Sequence, residues 1–149
     1  MKRHLPPRAT KPAILVVEEP GFLLQRAHRR LRAAIMEALV PLKLGLGHFA
    51  ILGLLSERGD LTQQQLIDVL EIDKSAMVYL VDELEAQHLA ERRLVPGDRR
   101  ARAVHLTDSG RECLIVAGKT VKQVEQEFLA PLTTREQVQL KQLLQRIAQ

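Results

Sequence analysis

The sequence has few aromatic residues and a single cysteine. Aromatic side chains make up 3% of its 149 residues and occur at Phe22, Phe49, Tyr79 and Phe128. A protein that binds single strands by stacking would need more of them, so that class is disfavoured. The single cysteine, Cys113, excludes an internal disulfide and any multi-cysteine zinc or iron–sulfur site.

Sequence motifs for catalysis, metal binding and membrane insertion are also lacking. The chain has no G-x-S-x-G elbow, no phosphate-binding glycine loop, no HExxH, and no His-x-x-x-His pair among its five histidines. No apolar run reaches the roughly 20 residues that cross a bilayer. The basic start is not followed by the apolar segment of a secretory signal. We therefore expect a cytoplasmic protein that is not an enzyme, contacts no membrane, and uses no metal or cofactor.

What is present is an ordinary balance of apolar and charged residues with a small excess of base. Hydrophobic residues make up 46% and charged residues 27%, which is typical of a folded protein. Lysine and arginine number 22 against 18 aspartates and glutamates, so the net charge is +4. This length suits one domain with helical extensions, and the charge permits an anionic partner.

Apolar residues recur at helical spacing along the first half of the chain. Residues 1–20 contain four prolines and predict an extended or mobile arm. From Phe22 an apolar stripe predicts a helix that ends or bends at Pro41. A short apolar helix follows, and two more helices are predicted to begin after the N-caps Thr62 and Asp73.

At Leu89 the apolar residues begin to alternate with a period of two, which is typical of a strand. The pattern predicts a β-hairpin over residues 89–106, with its turn at Pro96-Gly97-Asp98 and a basic tip at 99–102. Thr107 and Thr133 are suited to cap two final helices. The first of these carries an apolar seam at spacings of three and four, which a second chain would cover.

A helix, a tight turn, a second helix and a basic hairpin together predict a winged helix-turn-helix, whose second helix enters the major groove of DNA. Residues 22–149 resemble the MarR family of bacterial transcription regulators. The motifs that carry the resemblance are D-x-R at Asp98 and Arg100 and L-T-x-x-G at Leu106, Thr107 and Gly110.

The resemblance implies a mainly α fold with a small β-hairpin wing, in an obligate homodimer that reads palindromic double-stranded DNA as a repressor. It also implies release by a small, often aromatic or phenolic, ligand. The expected organisation is a flexible arm (residues 1–20), an N-terminal dimerisation helix (21–45), the winged helix-turn-helix (46–106) and C-terminal dimerisation helices (107–149).

The candidate DNA contacts fall into three groups. On the recognition helix they are Lys74, Ser75, Val78 and Tyr79. On the wing they are Arg99, Arg100 and Arg102, with Asp98 bracing Arg100 as the resemblance implies. Phosphate contacts are assigned to Thr62, Gln63, Gln64 and Arg92, and His48 is the candidate for an effector pocket.

The recognition helix departs from the family pattern. Val78-Tyr79 stands where Thr-Arg is common, and Glu83 stands where arginine or lysine is common. With Asp82 and Glu85 also acidic, a winged-helix module that binds a protein partner, with weak or lost DNA binding, is the alternative function. Asp82 is expected to hold a neighbouring basic side chain, because phosphate would repel a free carboxylate.

Overall fold

A computed structural model describes residues 16–95 and 97–148, without the side chains of residues 16 and 98–101. This part of the chain forms six α-helices and a three-stranded antiparallel sheet. The helices are α1 (Pro20–Leu39), α2 (Leu46–Arg58), α3 (Gln63–Leu70), α4 (Lys74–Ala86), α5 (Asp108–Leu129) and α6 (Thr134–Ile147). The strands are β1 (Leu61–Thr62), β2 (Ala90–Val95) and β3 (Asp98–Leu106). The predicted mainly α fold with a hairpin wing is confirmed.

Each predicted N-cap is formed in the structure. A side-chain oxygen of the capping residue accepts a hydrogen bond from a backbone N–H three residues later, at Thr62, Asp73, Thr107 and Thr133. Such a cap satisfies one of the donors left open at a helix start, which is why these helices begin where the sequence predicts.

The core lies around α2, whose buried residues include Ile51, Leu52 and Leu55. Helix α4 crosses close to α2 at Gly47, where a Cβ atom would lie 2.7 Å from Leu80 Cδ1. The absence of a side chain at Gly47 therefore lets the start of α2 approach the middle of α4.

The hairpin is confirmed, with Ala90 opposite Leu106 and strand order β1-β3-β2. Two details differ from the prediction. The arginine-rich segment belongs to β3, which begins at Asp98, so the turn is tighter than expected. Gly97 in that turn has φ of 87°, a conformation that favours glycine. The two-residue strand β1 pairs with β3 and was not predicted.

The N-terminal arm is described only at its end. Residues 1–15 lie outside the described part of the chain, while Val16–Glu18 form a 3₁₀ turn and α1 begins at Pro20. The last residues of the predicted arm are therefore helical rather than extended. As predicted, α1 ends before Pro41, which lies in a second 3₁₀ turn, Val40–Leu42.

Within the described residues, no single helix is both long and apolar enough to cross a membrane. The segments Pro20–Leu42 and Leu46–Arg58 meet that criterion only as a pair, and they are bent by 77° relative to each other.

Candidate nucleic-acid interface

Helix α4 presents one face to the core and another to solvent. Met77, Val81 and Leu84 are buried, whereas Val78 and Tyr79 are exposed. Lys74 and Ser75 at the start of the helix are also exposed. The four residues predicted to contact DNA from the recognition helix thus share one accessible surface. The tight turn before α4 is made by Glu71, which adopts a left-handed conformation with φ of 53°.

Arg92 on β2 binds two acidic residues of α4. Its Nη2 lies 2.7 Å from Asp82 Oδ1, and its Nη1 contacts Glu85 Oε2. Its backbone N–H donates to Glu85 Oε1 at 2.6 Å, and Nε donates to Gln63 Oε1 at 3.1 Å. The side chain is 19% exposed. We call this arrangement the Arg92 clamp, because it joins the wing strand to α4 and to the start of α3.

The Arg92 clamp changes how two predicted residues are interpreted. The expectation that Asp82 holds a basic side chain is confirmed. Arg92 itself was predicted to contact phosphate, but its guanidinium donors are directed at protein groups. Because charge-assisted bonds to two carboxylates hold it in place, Arg92 serves here to neutralise α4 and to fix the wing.

His48 on α2 lies buried against α4, with its side chain 8% exposed. Its Nδ1 accepts a hydrogen bond from the backbone N–H of Gly45 at 2.9 Å. Its Nε2 lies 3.0 Å from Glu83 Oε2. This approach is poorly aligned, and Nε2 has no hydrogen-bond partner among the described residues. The contact with Glu83 is therefore mainly electrostatic.

Glu83 also binds Tyr79, one turn earlier on α4. The Tyr79 hydroxyl donates to Glu83 Oε1 at 2.9 Å. This hydrogen bond, reinforced by the charge of Glu83, raises the pKa of Tyr79 above its ordinary value. The three acidic residues of α4, Asp82, Glu83 and Glu85, thus all contact side chains of the protein.

The candidate phosphate contacts at the start of α3 are held by local hydrogen bonds. The Thr62 hydroxyl caps the helix. Gln63 accepts from Arg92, and Gln64 donates to Asp68 at 2.7 Å. These bonds engage the hydroxyl of Thr62 and one side-chain amide atom of each glutamine, and the predicted contact of the three residues with phosphate stays a prediction.

The wing arginines are described in part. The backbone of Asp98, Arg99 and Arg100 lies in β3, and their side chains lie outside the described part of the structure. Arg102 is exposed and lies opposite Leu94 of β2. The predicted contact of these arginines with DNA, and the bracing by Asp98, stay predictions.

A cleft of about 770 Å³ lies between α1, α5 and α6, on elements outside the winged region. Its lining is mostly apolar and includes Leu24, Leu31, Phe128 and Leu144. His48 is not among the residues that line it. The structure therefore places the residue predicted for an effector pocket in the α2–α4 interface instead.

Cys113 on α5 is partly buried against the core. Burial raises the pKa of its thiol above the ordinary value, which favours the protonated, unreactive form at neutral pH. This agrees with the expectation that Cys113 is a small apolar filler. In the described residues, no three His, Cys, Asp or Glu side chains come close enough to hold a metal ion.

Sequence reasoning expected a basic partner for Asp82 but did not identify Arg92 or the rest of the clamp, and it missed the contact between His48 and Glu83. A partial signal for the clamp exists, because Asp82 and Glu85 are three residues apart and so share a helix face. No comparable signal connects His48 with Glu83, which are brought together by the close packing of α2 on α4.

Comparison with known proteins agrees with this geometry. A family model described as the MarR family matches residues 42–101. A putative transcriptional regulatory protein for the hcr operon of Thauera aromatica is 31% identical over 135 residues, which are 87% of this chain and 78% of that protein. The HTH-type transcriptional repressor NicR of Pseudomonas putida is 29% identical over 132 residues, 89% of this chain and 84% of that one.

A solved structure shares the whole architecture. CouR from Rhodococcus jostii RHA1, bound to p-coumaroyl-CoA, superposes with a TM-score of 0.78 at 30% identity. The match covers 91% of this chain and 96% of CouR.

Proposed function

Because the chain belongs to the MarR family of DNA-binding transcription regulators, we propose that it is a homodimeric repressor that binds a palindromic operator. Two copies of α4 enter successive major grooves, about 34 Å apart along the duplex. Occupation of a promoter by the dimer blocks transcription sterically. The similarity to the repressor NicR supports repression over activation.

The exposed face of α4 supplies the base contacts in this proposal. Val78 is suited to the thymine methyl group, and Ser75 and Tyr79 offer hydroxyl groups to base edges. Lys74, at the start of the helix, contacts phosphate. These contacts would read sequence at the centre of each half-site.

The wing and α3 supply the backbone contacts. The wing arginines Arg99, Arg100 and Arg102 contact DNA as a group. Asp98 with Arg100 braces the wing, and Arg99 or Arg102 enters the minor groove, where negative potential attracts arginine. At the N-terminus of α3, the backbone N–H groups of Gln63 and Gln64 receive a phosphate beside Thr62, whose own N–H donates to Gln65 Oε1.

The observation that carries the proposal is the pairing of the acidic residues on α4. Free carboxylates at Asp82, Glu83 and Glu85 would repel phosphate, and they are the reason for considering a protein-binding module instead. Arg92 neutralises two of them and His48 lies against the third. With these carboxylates engaged, the exposed face of α4 is compatible with a polyanion.

The exposure of α6 supports the proposed dimer. None of its side chains is buried in the monomer, although Val138, Leu143, Leu144 and Ile147 are large and apolar. Val138 and Leu144 line the apolar cleft between α1, α5 and α6. A second copy covering the cleft would remove this surface from water, which is the main driving force for association.

We include a small aromatic or phenolic ligand as the effector, and the comparison with CouR, which binds p-coumaroyl-CoA, supports that class. Such a ligand releases DNA only if it binds more tightly to a dimer conformation in which the spacing of the two winged regions does not fit DNA. His48 is not part of this proposal, because it is buried between α2 and α4.

The test is a titration of the purified protein against a labelled duplex from the region upstream of its own gene, beside a scrambled duplex, at several salt concentrations. We expect selective binding whose affinity falls steeply with salt, with a slope of roughly 0.9 per phosphate contact. The variant Arg102→Ala should weaken binding to both duplexes and reduce the salt slope by about 1.

Arg146→Ala, at the end of α6, removes the same charge outside the winged region, at a residue that does not line the cleft between α1, α5 and α6, and is the control. Equal effects of the two substitutions would contradict the wing contact. Weak binding of the unaltered protein to both duplexes and to a random-sequence pool would contradict sequence-specific DNA binding altogether.

A further inference from the structure

The hydroxyl group of Tyr79 has its proton directed into the protein. Tyr79 is 62% exposed and lies on the face of α4 assigned to DNA. Even so, its hydroxyl donates to Glu83 Oε1 at 2.9 Å rather than pointing outward. A phenolic hydroxyl has one proton to donate, so the groups left for an external partner are the oxygen lone pairs.

Glu83 also lies beside His48, on the side away from Tyr79. Because Nδ1 of His48 accepts from the Gly45 N–H, the neutral ring carries its proton on Nε2. That edge of the ring faces Glu83 Oε2 at 3.0 Å, and the histidine is buried. The carboxylate therefore lies between a buried histidine and the exposed tyrosine, with one oxygen toward each.

We propose that Tyr79 is a specificity-determining residue that acts only as a hydrogen-bond acceptor and so selects an amino group, on adenine or cytosine, in the major groove. This inference rests on the proposed function, in which α4 reads bases. The major groove presents amino donors at N6 of adenine and N4 of cytosine, whereas guanine and thymine present acceptors at the corresponding position. An acceptor-only hydroxyl distinguishes these two pairs of bases on one strand.

The same chemistry excludes phosphate as the partner of the hydroxyl. Phosphate oxygens are acceptors and need a donor, and the proton of Tyr79 is already bound to Glu83. Tyr79 is thereby assigned to base recognition rather than to backbone positioning.

The experiment selects bound duplexes from a random-sequence pool with the full-length protein and two variants. The unaltered protein is expected to enrich adenine or cytosine at one position in each half-site. Tyr79→Phe should reduce that enrichment about tenfold, the worth of one neutral hydrogen bond, and leave other positions unchanged. Glu83→Ala removes the acceptor and frees the hydroxyl proton, so the preference should move toward guanine or thymine.

Ser75→Ala, which removes another hydroxyl group from the same face, is the matched control and should leave the Tyr79 position unaffected. An identical preference in the unaltered protein and Tyr79→Phe would overturn the inference. So would enrichment of guanine or thymine by the unaltered protein at the position that Tyr79→Phe alters. If the unaltered protein selects no sequence, the proposed function itself fails, and this inference fails with it.

Discussion

At the scale of single residues, Gly110 is required because its surroundings leave no room for a side chain. Gly110 lies where the start of α5 meets the end of the helix-turn-helix. A Cβ atom there would lie 2.0 Å from the carbonyl oxygen of Leu89 and 2.7 Å from Leu106 Cδ1. The obstacle is backbone, which cannot move aside as a flexible side chain can. This steric clash explains why the L-T-x-x-G motif has a glycine at this position.

We expect Gly110→Ala to lower the free energy of unfolding by about 3 kcal/mol, since the added methyl group forces the backbone apart. Gly118→Ala, in the same helix, is the control because a Cβ atom there meets nothing within 4 Å. It should raise stability by up to about 1 kcal/mol through helix propensity. Urea unfolding at fixed protein concentration measures both, and equal losses would contradict the steric argument.

At the scale of elements, the orientation of the wing depends on a contact between two elements rather than on the hairpin alone. The Arg92 clamp ties β2 to α4 through Asp82 and Glu85 and reaches α3 through Gln63. It also removes two negative charges from the side of α4 that faces the wing. One residue thus serves both the geometry and the electrostatics of the proposed interface.

We expect Arg92→Ala to weaken DNA binding at least tenfold and to cost about 1–2 kcal/mol of stability, because two carboxylates lose their partner while remaining partly exposed. Arg93→Ala is the control, since Arg93 is paired only with Glu91 on its own strand among the described ion pairs. Titration against one duplex, together with urea unfolding, measures both effects.

Restoration of binding by adding Asp82→Asn and Glu85→Gln to Arg92→Ala would assign the loss to charge repulsion. If the affinity stays low in that combined variant, the lost wing orientation accounts for the defect. An unchanged affinity in Arg92→Ala itself would show that the clamp has no part in DNA binding.

At the scale of the whole molecule, the described chain leaves one end of its helical framework without a partner. Helix α6 buries none of its side chains, and the cleft beside it is lined largely by apolar residues of α1, α5 and α6. The buried core is one cluster that joins the winged region around α2 to α1 and α5 and includes no residue of α6. The exposed helical end is accordingly where association with a second copy would stabilise the molecule most.

We expect Leu144→Asp to convert the dimer to a monomer or to raise its dissociation constant at least a hundredfold, because a carboxylate would be buried in the covered cleft. Gln142→Asp is the control. It adds the same charge two residues earlier on α6, at an exposed residue that does not line the cleft. Sedimentation equilibrium distinguishes them. A Leu144→Asp protein that dimerises like Gln142→Asp would contradict this interface.

The sequence alone determined the features that depend on neighbours a few residues apart. Thr62, Asp73, Thr107 and Thr133 begin their helices because capping bonds close over three residues. The switch of hydrophobic period at Leu89 placed the hairpin, and the spacing of apolar residues placed the helices between these boundaries.

Tertiary structure alone decided the features that join distant segments. Strand β1 pairs with β3 across more than forty residues of sequence, so its two residues carry no recognisable strand pattern of their own. His48 meets Glu83 only because α2 and α4 pack closely at Gly47, and Arg92 turns from solvent to α4 only because β2 lies against that helix. Local chemistry therefore set where the capped helices begin, whereas the charge presented by the candidate interface was set by the packing of the elements, since an ion pair depends on distance in space and not along the chain.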